Sequence, residues 1–367
     1  MSVRRPRARD FGIKIGLLEP GTYNSITDIE GIHVGHVTLI RGEGPLRPGH
    51  GPIRTGVTAV LPHKGNIFRD KVKAASFVIN GMGKSIGLVQ LDELGTLETP
   101  ILLTNTLNVG MVADALIEHM LEVNPDIGVT TGTVNPVVGE CNDSFLNDIR
   151  GRHVKPEHVR QALSAATSEK VDEGAVGAGT GMSAFQLKGG IGCSSRIVPS
   201  QHGGYVVGSL VLSNFGRLTD LIIDGAPVGK HLSEQMESSP SANGSIIILV
   251  ATNAPVSSRQ LKRMAKRATH GLARTGSVST HGSGDIAIAF STTNRVPHYR
   301  EDFRDSNPSV FEEDLTWLFR ATAEATEEAI LNSLFRAETT VGRDGNRRMA
   351  LPLELTRTIL QKYGKIQ

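Results

Sequence analysis

Two cysteines in 367 residues, Cys141 and Cys193, leave no room for a disulfide framework or a thiolate metal site. No segment approaches the roughly 18 consecutive apolar residues of a membrane span. The net charge is only +2, so there is no electrostatic case for nucleic acid as a partner. Aromatic residues make up only 4%, so the core must come from Val, Ile, Leu and Ala. The basic opening, MSVRRPRARDFGIKIG, has no apolar stretch behind it, so no signal peptide is expected. These absences point to a soluble cytoplasmic protein. Its length suits one large or two ordinary domains.

Glycine, by contrast, is plentiful, with 41 residues, and implies tight turns and close backbone approaches. Alternating or wholly apolar runs predict strands at 55–61, 75–80, 101–104, 205–212, 221–223, 245–251 and 285–291. Helical spacing predicts helices at 109–122, 155–168, 257–276 and 310–338, with Pro156 suited to a first turn. The order is mixed and lacks a regular strand–helix alternation. It fits an α+β or layered α/β domain, with sheets in the middle and helices outside. Segment 225–244, small and polar, is the best linker candidate.

The stretch SANGSIIILVAT, residues 241–252, allows two readings. Asn243-Gly244 is a strong hairpin signal. Alternatively, the chain is cut between Gly244 and Ser245. The freed α-amine, with a pKa of roughly 7.7–8.0 in a model peptide, would then serve as base for the Ser245 hydroxyl, which needs one to attack at neutral pH. The buried run behind Ser245 would hold it rigidly.

Other polar groups sit at element ends. Glu140, Cys141, Asn142 and Asp143 follow an apolar stretch. Glu140 could hold a cationic substrate group and Cys141 could be a nucleophile. The plainer reading is a turn capped by Asp143 or Ser144 that opens a helix. Residues 174–192 hold seven glycines but match no phosphate-binding loop, which favours close strand crossings. Asn214 ends a strong strand, where its amide could serve an oxyanion or simply a turn. Ser283 and Asp285, two apart at a strand start, share a face and could orient an ammonium. His281 reads as structural. His33 and His36 lack a third ligand at a convincing spacing, so no metal is expected.

Taken together, NSITDIEGIHVGH (24–36), TNTLNVG (104–110), TGTVNPVVGECND (131–143), GAVGAGTGMSAFQLKGGIGCSSR (174–196), VLSNFG (211–216), NGSIIILVATNAP (243–255) and HGSGDIAIAFST (281–292) resemble one family. It is the self-processing L-aminopeptidase/D-esterase (DmpA) and β-peptidyl aminopeptidase family. The resemblance runs over about residues 20–330. It implies a four-layer αββα sandwich, layered like the N-terminal-nucleophile hydrolases and like ornithine acetyltransferase. It also implies self-cleavage into an α chain, 1–244, and a β chain, 245–367, typically assembled as a homotetramer of such pairs.

By the same resemblance, Ser245 is the nucleophile, Asn214 the oxyanion donor, and Ser283 with Asp285 the pair that orients the nucleophile and its amine. Glu140 binds the substrate's amino group. β-Peptidyl members carry Glu where this chain has the shorter Asp285. Some members place a tyrosine beside the glutamate, and residues 131–150 contain none. The implied enzyme is a serine aminopeptidase for short peptides, amides or esters with a free amino terminus, without a cofactor. The alternatives are an acyltransferase of the ornithine acetyltransferase type, a pyruvoyl-dependent decarboxylase, and an uncut non-enzymatic homologue.

Overall fold

The computed structural model describes residues 4–236, 244–300 and 307–367. In chain order the first strands are β1 (His33–Arg41), β2 (Ile53–Leu61), β3 (Asp70–Gly81), β4 (Thr96–Leu97), β5 (Ile101–Asn105) and β6 (Val137–Cys141). A short hairpin follows, β7 (Ser183–Ala184) and β8 (Leu187–Lys188), then β9 (Gly190–Ile197), β10 (Val206–Asn214), β11 (Ser245–Thr252) and β12 (Gly284–Pro297). A last hairpin pairs β13 (Thr340–Val341) with β14 (Arg347–Arg348). The helices are α1 (Leu88–Leu94), α2 (Val109–Val123), α3 (Pro156–Ser164), α4 (Val228–Ser233), α5 (Ser258–Arg274), α6 (Leu315–Arg336) and α7 (Leu353–Lys362).

Two sheets face each other. One has the order β1-β2-β5-β6, the other β4-β3-β12-β11-β10-β9. Helices α2 and α3 cover the smaller sheet, and α5 and α6 cover the larger. This is the αββα sandwich. Strand β11 shows why the sequence folds so. Ile247, Leu249 and Ala251 join the core between the sheets, while Ile246, Ile248 and Val250 join the core under α5 and α6. A strand buried on both faces reads as one continuous apolar run. Each of its large side chains contributes about 1.5–3 kcal/mol on burial, which makes this strand a firm mount for its first residue.

Helix α5 starts at a capping box: Ser257 Oγ accepts from Gln260 N, and Gln260 Oε1 accepts from Ser257 N. Helix α6 lies against β9 through Gly192, where an added Cβ would sit 1.9 Å from the Ala329 carbonyl oxygen. Its buried polar residues receive the N-terminal segment. Arg9 and Arg196 pair with Glu328 at 2.9 and 2.7 Å, and Ala8 N donates to Asn332 Oδ1.

Four expectations need correction. No strand forms at 221–223: the segment follows a single-turn helix, Leu218–Asp220, and carries only an isolated bridge between Ile223 and Ala226. Helix α3 ends at Ser164 because the chain turns back to pair Thr167 with Val34. Helix α6 starts at Leu315, not at 310. The linker candidate contains α4, which buries Val228 and Leu232. Residues 237–243, including Asn243 of the hairpin reading, lie outside the described residues.

Candidate active site

The centre of the larger sheet brings three strand ends to one edge. Ser245 opens β11 and stands directly across from Asn214, the last residue of β10. On its other side β11 runs parallel to β12, with Ile246 level with Asp285. The Gly284 N–H donates to Ser245 Oγ at 3.1 Å. Ser245 and Asn214 are 6% and 3% exposed, so the hydroxyl sits at the floor of the site rather than on a flexible turn.

Ser283 Oγ donates to Asp285 Oδ1. Burial pushes the Asp285 carboxyl above its ordinary range, and the Ser283 and Ser279 hydroxyls and the Ile246 N–H hold it partly back. Its second oxygen, Oδ2, is buried and has no hydrogen-bond partner among the described residues. A buried carboxylate oxygen of this kind wants a donor.

The Asn214 amide is held at both ends. Its Oδ1 accepts from Ser183 N at 2.8 Å, and its Nδ2 donates to the Asn142 carbonyl at 3.0 Å. These bonds fix which end of the amide is nitrogen and leave its second N–H available.

Glu140, on β6 and 2% exposed, takes Lys84 N on Oε1 at 2.8 Å and the Thr106 hydroxyl on Oε2. Gly83 lies between it and the start of β12. A Cβ on Gly83 would lie 3.7 Å from Glu140 Oε1 and 3.5 Å from Gly284 Cα. Gly83 therefore lies between the carboxylate and the backbone that donates to Ser245, with ordinary room on either side. A cavity of about 450 Å³ opens beside this cluster, lined by Phe215, Arg217, Gly244, Val278, His281 and Ser283 among others.

Ser245, Asn214, Ser283, Asp285, Glu140 and Gly244 thus gather in one place. Cys141 does not join them as a nucleophile. It is fully buried, its thiol donates to the Leu212 carbonyl at 3.5 Å, and burial holds it protonated well above the usual thiol range. Nor does the 140–143 knot open an α-helix. Glu140 and Cys141 end β6, and Asn142 Oδ1 accepts from Ser144 N in a turn. His36 is half-buried with its pKa lowered to about 4 by desolvation, and His33 bonds the Gly31 carbonyl. No cluster of metal-ligating residues occurs among the described residues.

The Gly284 and Lys84 N–H groups, the Asn142 carbonyl, Ser183 and Thr106 went unassigned in the sequence. Most contribute backbone atoms, which leave no side-chain signature. Thr106 lies inside the TNTLNVG segment and was within reach.

A serine heading an inner strand of an αββα sandwich, with an amide opposite and a carboxylate alongside, is the layout of a serine hydrolase of the N-terminal-nucleophile kind. The model of Peptidase family S58 matches residues 24–348, and the chain belongs to that family. It is 43% identical to β-peptidyl aminopeptidase BapA of Sphingosinicella microcystinivorans, over 100% of this chain and 94% of the other. The PH0078 protein of Pyrococcus horikoshii superposes with a TM-score of 0.94 at 57% identity, covering 98% of this chain and 99% of the other. The L-aminopeptidase D-Ala-esterase/amidase of Ochrobactrum anthropi, described as a prototype serine aminopeptidase with a variant of the Ntn hydrolase fold, superposes with a TM-score of 0.91 at 37% identity, covering 99% and 100%. The protein is a serine aminopeptidase.

Proposed function

We propose that this aminopeptidase is made as a precursor, cuts its own Gly244–Ser245 bond, and then uses the exposed Ser245 to release N-terminal residues from short peptides, amides and esters. The observation that carries this is the placement of Ser245 Oγ. It is held by Gly284 N on the first residue of a buried strand, opposite Asn214.

In the precursor, Ser245 Oγ attacks the Gly244 carbonyl carbon. The Ser245 nitrogen leaves and takes the hydroxyl proton, giving an ester. Water cleaves the ester to a Gly244 carboxylate and a Ser245 hydroxyl with a free α-amine. That amine then receives the hydroxyl proton as Oγ attacks a substrate carbonyl, and returns it to the departing amine or alcohol. Asn214 donates to the oxyanion. The unpartnered Asp285 Oδ2 receives the Ser245 ammonium, with Ser283 fixing the carboxylate's other oxygen. Water then hydrolyses the acyl-enzyme. Glu140 binds the substrate's ammonium, which explains exopeptidase specificity: a substrate without it leaves a buried carboxylate charge with only neutral hydrogen-bond donors and no ion partner. β-Peptides are among the substrates to try, since relatives are named for them.

Intact mass under denaturing conditions tests the first step. Two chains whose masses sum to the precursor plus one water are expected, the smaller starting Ser-Ile-Ile-Ile. Ser245→Ala should remain one inactive chain. Cleavage or peptidase activity in that variant would overturn the assignment.

A further inference from the structure

We propose that Lys188 is a positioning residue for the oxyanion donor, tying together the loop whose Ser183 N–H holds Asn214; this rests on the role given to Asn214 above. Lys188 is completely buried. Its Nζ donates to three backbone carbonyls, Gly179 at 2.9 Å, Met182 at 2.8 Å and Gly189 at 2.7 Å. All three ammonium protons are therefore spent on one loop, gathered from both of its ends. Lysine is almost never fully buried without a specific partner. A Leu or Met would fill the same space without desolvating a charge, so the site uses the donors and not the volume.

What the loop does with this tether is visible at its tip. Ser183 pairs with Lys188 across the β7–β8 hairpin. Met182, one of the three tethered carbonyls, is joined by a single peptide bond to the Ser183 nitrogen that donates to Asn214 Oδ1 at 2.8 Å. Arg348 Nε bonds the Ser183 hydroxyl from behind at 3.0 Å. The other end of the Asn214 amide is served by the Asn142 carbonyl, and the next residue, Asp143, is the acidic group whose charge acts on Lys188. Burial draws Lys188 down to about 7, Asp143 opposing, and pushes Asp143 up to about 7 against its bonds from Thr55 and Asn147. The Ser183 clamp on the amide is thus anchored directly through Lys188 and the Met182 carbonyl, and the Asn142 clamp adjoins the buried Asp143. If the tether is cut, Ser183 N no longer has a fixed place and the Asn214 amide can rotate away from the oxyanion.

The test is a double-mutant cycle on the full chain with an amino-acid p-nitroanilide, reading kcat, KM and the rate of chain cleavage. Lys188→Met should lower kcat about 10- to 100-fold, the scale of a donor displaced by about 1 Å, with KM nearly unchanged. In an Asn214→Ala background the same change should cost less than twofold, because the residue it positions is gone. Lys188→Arg, which keeps donors in the loop, should retain part of the rate. Should Lys188→Met fail to fold, Lys188→Gln enters the same cycle, with near-UV circular dichroism confirming the native state. Equal losses in both backgrounds would mean Lys188 acts elsewhere and would overturn the proposal. An Asn214→Ala enzyme with unchanged kcat would instead remove the oxyanion role itself.

Discussion

Adding a single methyl group at Gly244 should stall maturation. A Cβ built there would meet the Asn214 carbonyl oxygen at 2.0 Å, Phe215 Cα at 2.5 Å and the Asn214 carbonyl carbon at 2.8 Å. Real side chains keep at least 3.0 Å, so in Gly244→Ala one of the two backbones must move by about 1 Å. Neither can do so harmlessly. Moving Gly244 shifts the carbonyl that Ser245 would attack in the proposed cleavage. Moving Asn214 disturbs the residue paired with Ser245 in the sheet. A reacting group misplaced by about 1 Å loses on the order of 10²-fold in rate. The assay is a time course of intact mass on freshly made protein, comparing the uncut fraction in wild type and variant. Cleavage should slow about 100-fold. Molecules that do cut should recover much of the wild-type kcat, because Gly244 is then a chain end free to retreat. Cleavage within threefold of wild type would refute the steric reasoning.

Two further changes probe separate links. Glu140→Gln should lower kcat/KM for substrates with a free amine by at least tenfold, because the ion partner is lost, and should spare N-acylated esters; equal losses on both would remove the ammonium-binding role. Gly192→Ala, measured by guanidinium unfolding in an uncut Ser245→Ala background, should lose about 1–3 kcal/mol, because its methyl would press on the α6 backbone at 1.9 Å from the Ala329 carbonyl oxygen. A loss below about 0.5 kcal/mol would show that α6 shifts freely there.

The elements around Ser245 could be read from the sequence because their physics is local. Strand β11 is apolar on both faces, and α5 carries its own capping box. Strands β6 and β9 escaped notice because their sequences, VVGEC and GIGCSSRI, interrupt the apolar pattern with Gly, Cys, Ser and Arg. The interruptions have tertiary causes: Gly192 admits α6, Arg196 meets Glu328, and Cys193 accepts Ile26 N. Spacing alone placed Ser283 and Asp285 on one face, and the hydrogen bond between them is formed. Glu140 reaches the Ser245 edge from the opposite sheet, across Gly83, and no sequence distance encodes that approach. The N–H groups of Gly284 and Lys84 were equally invisible, since any residue supplies one.

The larger sheet also decides what kind of object the proposed cleavage would make. With the bond before Ser245 broken, β11 and β12 belong to one fragment, while their neighbours β10 and β3 belong to the other, on both flanks. The fragments alternate through a single sheet like two interleaved hands, and Arg9 clasps Glu328 across the join. Separation would strip partners from both borders of the inserted pair and expose bare strand edges. Spontaneous shedding of either piece is thereby opposed by the whole core. Once unfolded, however, the cut molecule would no longer recover as one chain. Two strangers must find each other, so recovery depends on concentration and fails in dilute solution. The proposed cleavage before Ser245 would thus turn folding into a step taken only once.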